Sequence, residues 1–214
     1  MSITVLIVDD HPVVSEGLRS LIEAQDDLRV VACVSDGREA VNKARELKPD
    51  VVLMDIAMPN LNGIEATHLI RARLETTQVV ILSMHSNQEY VLRALQAGAR
   101  GYVLKKSASK EVVEAIRTAH KGGRYLSQKL VEGAIDDLLR GGSITDPLDV
   151  LSSRERQVLQ LLVEGKSNAV IARSLFLSPK TVETYRARVM QKLNIDDIPS
   201  LVKFAIQHGI TPLE

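Results

Sequence analysis

The chain has no tryptophan, two phenylalanines and four tyrosines, so aromatic residues make up 3% of its 214 positions and its cores must be largely aliphatic. A single cysteine, Cys33, excludes a disulfide framework within the chain. It lies in the apolar run Val30-Val31-Ala32-Cys33-Val34, where a buried, reduced thiol is expected. No apolar run approaches the roughly 20 residues that cross a bilayer, and Met1-Ser2-Ile3-Thr4-Val5 carries no basic or long apolar segment of a secretion signal. A cytoplasmic location without a membrane partner is expected. An excess of charge is missing too: 27 Lys and Arg balance 27 Asp and Glu, so any affinity for nucleic acid must come from local clusters. What is present, 45% hydrophobic and 25% charged residues, matches a globular protein long enough for two domains.

Residues 1–121 alternate short aliphatic runs with amphipathic stretches. The runs fall at 3–8, 28–34, 51–54, 79–83 and 101–104, and the stretches at 13–24, 38–47, 64–73, 89–97 and 110–120 space apolar residues by threes and fours. This rhythm predicts a flavodoxin-like, doubly wound sheet of five parallel strands, because parallel neighbours need crossover helices that cover both faces. Ligands of such sheets bind outside the carboxyl ends of the strands. An amphipathic stretch at 127–140 and the Gly-, Ser- and Pro-bearing residues 141–147 make 122–147 a helical segment and flexible linker. From 148 to 214 the strand rhythm gives way to closely spaced helices, predicting a small all-α domain of four helices.

Asp9 and Asp10 directly follow the first expected strand and Asp55 the third, which brings three acids to one sheet edge. Clustered carboxylates raise one another's pKa unless a cation neutralises them, and oxygen ligands of this kind suit Mg²⁺. Ser83 and Lys105 end the fourth and fifth strands and add a hydroxyl and an ammonium to the same rim. A carboxylate can attack phosphorus while a metal and a lysine offset the charge on the transferring oxygens. Asp55 is the expected acceptor. Asp10 is expected to ligate Mg²⁺ directly, Asp9 through water, and Ala57 through its backbone carbonyl, with Ser83 and Lys105 gripping the phosphoryl group.

In the C-terminal part, Ser152-Ser153-Arg154-Glu155 fits a capping box that opens a helix with Val158, Leu159, Leu162 and Val163 buried. Gly165 ends it, and a second helix from Ser167 to Leu175 turns Val170, Ile171 and Leu175 inward. Ser178-Pro179 is a cap followed by proline at the first helical position. The helix it opens sets Lys180, Arg186, Arg188 and Lys192 against Glu183 alone, while Val182, Val189 and Leu193 face a core. A basic face opposite an anchored one suits the major groove, so Lys180, Thr181, Thr184, Arg186, Arg188 and Lys192 are candidate DNA contacts. Leu201, Val202, Ala205 and Ile206 form the stripe of a last helix.

Val8-Asp9-Asp10-His11, Leu53-Met54-Asp55-Ile56-Ala57-Met58-Pro59 and Gly101-Tyr102-Val103-Leu104-Lys105 resemble the signature blocks of response-regulator receiver domains. Leu151 to Arg156, Gly165 to Asn168, Ile171-Ala172 and Thr181 to Thr184 resemble the LuxR-type helix-turn-helix. Together they are similar to the NarL/FixJ group of two-component regulators. The resemblance implies phosphoryl transfer from a sensor histidine kinase to Asp55, movement of Ser83, inward turning of Tyr102, pairing of two copies through the last helix, and binding to promoter DNA. It leaves room for RNA polymerase as a further partner, and implies no enzyme beyond phosphorylation and dephosphorylation of its own aspartate. Glu183 and Tyr185 depart from the usual lysine and histidine, so Glu183 either reads a base or points away. Two competing readings are an aspartyl-phosphate hydrolase, which resembling enzymes build on Asp-x-Asp rather than Asp55-Ile56-Ala57, and a DNA binder that ignores phosphorylation.

Overall fold

The computed structural model describes residues 2–131 and 146–211. Strands β1 (Ile3–Val8), β2 (Leu28–Val34), β3 (Val51–Asp55), β4 (Gln78–Ser83), β5 (Gly101–Leu104) and β6 (Tyr125–Leu126) form one parallel sheet in the order β2-β1-β3-β4-β5-β6. Helices α1 (Pro12–Glu23), α2 (Gly37–Leu47), α3 (Gly63–Arg71), α4 (Gln88–Gln96) and α5 (Ala108–His120) follow the first five strands in turn. Each expected strand and helix of this part is present within two residues at either end.

β1, β3 and β4 are apolar along nearly their whole length because helices cover both faces. On one face Val5, Ile7 and Leu53 pack against Leu18 and Ile22 of α1 and Val112 and Ile116 of α5. On the other, Leu6, Val8 and Met54 meet Val41, Ile64 and Tyr90 from α2, α3 and α4. The chain order reverses between β1 and β3, which pair with Val8 opposite Met54, so Asp9 and Asp55 emerge side by side at the carboxyl edge.

Two expectations are corrected. The sheet has a sixth strand, whose two residues pair with Gly101 and Tyr102 and are too few to show a period in sequence. Cys33 is free and exposed rather than buried. It lies on the edge strand β2, where a bulge inserts Val31 between the residues opposite Val5 and Leu6, and one extra residue exchanges the faces beyond it.

The remainder is helical: a 3₁₀ turn (Pro147–Val150), then α6 (Ser153–Val163), α7 (Asn168–Leu175), α8 (Pro179–Leu193) and α9 (Ile198–Gln207). α6 is central. Leu159 joins Val189 of α8 and Leu201 and Ala205 of α9 in one cluster, and Val158, Leu161 and Leu162 join Ile171 and Leu175 of α7 and Val182 of α8 in another. The Ser152–Glu155 capping box is present, Ser167, Ser178 and Asp197 cap the later helices, and Gly165 leaves α6 at φ +74. Val170 is exposed on the rim of α7 instead of facing inward. Of the helical segment and linker expected at 122–147, residues 132–145 lie outside the described residues.

Candidate functional site

The carboxyl edge gathers the expected groups. Asp9 and Asp55 are buried and Asp10 is half-buried, and one ligand atom from each of these and from His11 lie within 4.8 Å of one another. The Lys105 ammonium stands 2.7 Å from both Asp9 Oδ2 and Asp55 Oδ2. Exposed His11 places Nδ1 2.8 Å from Asp10 Oδ1 and 3.2 Å from Asp9 Oδ1. Ala57 is half-buried two residues beyond Asp55, and buried Ser83 accepts from the His85 amide at 3.0 Å. α3 begins so close to β3 that a Cβ on Gly63 would overlap the Asp55 carbonyl, which fixes glycine there.

Burial pushes the Asp55 carboxyl up; Lys105 opposes this, neighbouring Asp9 reinforces it, and the outcome is about 6. Burial lowers the Lys105 ammonium, but Asp55 and Asp9 outweigh burial and raise it. Three carboxylates against one lysine leave two uncompensated charges, which a hard divalent ion on oxygen ligands would neutralise. The residues therefore fit Mg²⁺. Tyr102 is fully buried, with its hydroxyl donating to the His85 carbonyl at 2.9 Å, so it needs no phosphate to lie inward. The His85 ring is stacked on Tyr90 at 4.5 Å.

The loop after Asp55 is held by the helical part, a contact the sequence did not announce. Gln160 of α6, 0% exposed, accepts from the Asn62 amide at 2.8 Å and donates to the Met58 carbonyl at 2.9 Å. Glu164 accepts from the Asn60 amide at 3.0 Å. Asn62 also caps α3, and one turn on, Glu65 accepts from Ser153 and Arg156. A second seam runs along α4: Arg93 donates to the His208 carbonyl at 2.7 Å, lies 3.0 Å from Asp146 and covers the Tyr90 ring. No local pattern marks the α6 contact, since Gln157 and Gln160 stand where an amphipathic α6 would show solvent, yet both are buried.

The proposed DNA face lies away from these seams. On α8, Lys180, Thr184, Arg188 and Lys192 are exposed, Thr181 and Arg186 are half-buried, and Val182 and Val189 anchor the helix. Lys192 pairs with Glu155 at 2.7 Å; burial works against that carboxyl's ionisation, yet Lys192 and Ser152 hold it below its usual range. Glu183 points to solvent, whereas Tyr185 packs against the α6–α7 cluster.

Fold and site together define a class: a doubly wound α/β domain with an acidic rim, carrying a helix-turn-helix domain. Residues 5–117 match the response regulator receiver domain, and residues 149–205 match the bacterial regulatory proteins of the luxR family. The chain belongs to the response regulators with a LuxR-type DNA-binding domain and is a DNA-binding transcription regulator of two-component systems. It is 38% identical over 209 residues to the oxygen regulatory protein NreC of Staphylococcus aureus (strain JH9), covering 95% of this chain and 96% of that protein. A LuxR-family two-component response regulator from Aurantimonas sp. SI85-9A1 is 38% identical with a TM-score of 0.62, over 65% of this chain and 99% of that one. The response regulator RcsB in complex with DNA is 26% identical with a TM-score of 0.58, over 95% and 98%. Among the described residues no helix is long and apolar enough to cross a membrane.

Proposed function

We propose that Asp55 accepts a phosphoryl group from a sensor histidine kinase and that this modification controls pairing and promoter binding by the helix-turn-helix domain. The observation that carries the reading is Asp55 buried at the end of β3, with Lys105 Nζ 2.7 Å away and Asp9 and Asp10 beside it. Lys105 neutralises charge on the arriving oxygens, and Ser83, at the end of the neighbouring strand, offers its hydroxyl to them. Mg²⁺ held by Asp9, Asp10, Asp55 and the Ala57 carbonyl would supply the remaining positive charge. We place the boundary between the phospho-acceptor and DNA-binding domains within 122–147.

The docked arrangement supports a particular form of restraint. The receiver grips α6 and the end of α9, while the polar face of α8 stays in solvent. Restraint then acts on pairing through α9 rather than on the DNA-reading helix. Release on phosphorylation requires that the aspartyl phosphate favour the parted form over the docked one. Lys180, Thr181, Thr184, Arg186, Arg188 and Lys192 would meet DNA, Lys192 after leaving Glu155, and two copies would read half-sites about one helical turn apart. The test treats wild type and Asp55→Asn with acetyl phosphate and Mg²⁺ and follows protein mass, association and DNA binding. Wild type should gain one phosphoryl group and associate; a mutant that gains it equally would eliminate Asp55 as acceptor.

A further inference from the structure

Asp10 and His11, at the outer side of the acidic rim, line a cavity of about 550 Å³ between the two domains. Asp10 and Ala57 belong to the receiver wall; Glu164, Lys166, Val202 and Ile206 belong to the facing wall, which is the helix-turn-helix domain. Asp55 is buried behind this wall, and a carboxylate oxygen of Asp10, which lines the cavity, lies within 4.8 Å of one of its own, so a donor that approaches from this side must pass between the two domains. The facing wall is fastened at its base, because Gln160 and Glu164 hold three backbone groups of the loop following Asp55. A donor the size of acetyl phosphate can enter such a space. A phosphohistidine borne by a folded protein arrives with at least the bulk of one helix, about 10–12 Å across, which does not fit between the two walls while they are fastened.

We infer that the docked DNA-binding domain is a size filter on the phospho-acceptor site, admitting small phosphodonors and excluding protein-borne phosphohistidine until the domains part. The inference rests on Asp55 being the acceptor. In the parted form an Asp55 oxygen attacks phosphorus and forms a P–O bond; the P–N bond breaks, and its electron pair returns to the imidazole nitrogen. DNA that captures the parted form raises its population and should thereby speed transfer from large donors while leaving small ones unchanged.

Phosphoimidazole, free or coupled through a ring carbon to a dextran larger than the protein, presents the same reacting bond at two sizes. It is offered to full-length wild type, Gln160→Ala and Glu65→Gln, with exchange of the Asn60 amide, whose partner Glu164 neither variant removes, reporting whether the domains have parted. The free donor should modify all three at similar rates. With a parted form populated at roughly 0.1–10%, the dextran donor should be about 10-fold or more slower on wild type, and faster on each variant in step with amide exposure. An equal ratio of the two rates in all three proteins, despite faster exchange in a variant, would overturn the filter. Failure of free phosphoimidazole to modify Asp55 in any of them would instead overturn the acceptor assignment, and the filter with it.

Discussion

Asp55 stands between opposed influences, and their balance sets two measurable properties. Burial and the neighbouring acids hold its proton at about 6, well above an ordinary aspartate, although Lys105 pulls the other way. Only the ionised carboxylate attacks phosphorus, so its modification by acetyl phosphate should fall as pH drops through about 6, and rising Mg²⁺ should move that midpoint lower. The sign for stability is the reverse of a paired acid's. The folded state binds this proton more tightly than the unfolded chain, so the contribution is favourable below the ordinary carboxyl value of 3.8 and is lost as pH rises to about 6. At pH 7 without divalent ion, Asp55→Asn should therefore melt higher than wild type, by on the order of 1 kcal/mol, and Mg²⁺ should narrow the difference. Calorimetry at pH 4 and pH 7 checks this, with the advantage of the mutant shrinking at the lower value.

α6 shows how one helix serves two neighbours. Its capping box joins the Ser152 hydroxyl to the Glu155 amide and the Glu155 carboxylate to the Ser152 amide, and the same carboxylate receives Lys192 from α8. Ser152→Ala should cost about 1 kcal/mol in melting of the helical domain, and Glu155→Ala more, because it also strips the partner of Lys192. Caps of this kind were legible in sequence because they depend on residues three apart. So were the strands, since a parallel sheet buried on both faces reads as aliphatic runs, and so was the acidic rim, because strand ends in alternating β-α order share one edge. What escaped reading was non-local. β6 exists through pairing with β5, the exposure of Cys33 follows from a bulge on an edge strand, and the burial of Gln160 depends on a loop 98 residues earlier that supplies its partners.

At the scale of the whole molecule, the rim and the DNA-binding domain are joined by a second contiguous series of contacts. Tyr102 donates to the His85 carbonyl, the His85 ring stacks on Tyr90, and Tyr90 fills the space against Gly209, just beyond α9. Contiguity alone does not establish coupling; a double-mutant cycle does. Gly209 has φ +63, and a Cβ there would overlap the Tyr90 ring, so Gly209→Ala should loosen the docked form through both strain and collision. Tyr102→Phe removes the bond that positions His85 and should loosen it less, by about 1 kcal/mol. Exchange of the Asn62 amide, whose partner Gln160 sits on the other seam, reads the free energy of parting without touching either mutated residue. If the series transmits, the double mutant should differ from the sum of the single mutants by about 0.5 kcal/mol or more, because a displaced His85 no longer holds Tyr90 where the new methyl group would strike it. Simple additivity would mean that Tyr102 and Gly209 act on docking independently, leaving the Gln160 seam as the route by which Asp55 reaches the DNA-binding domain.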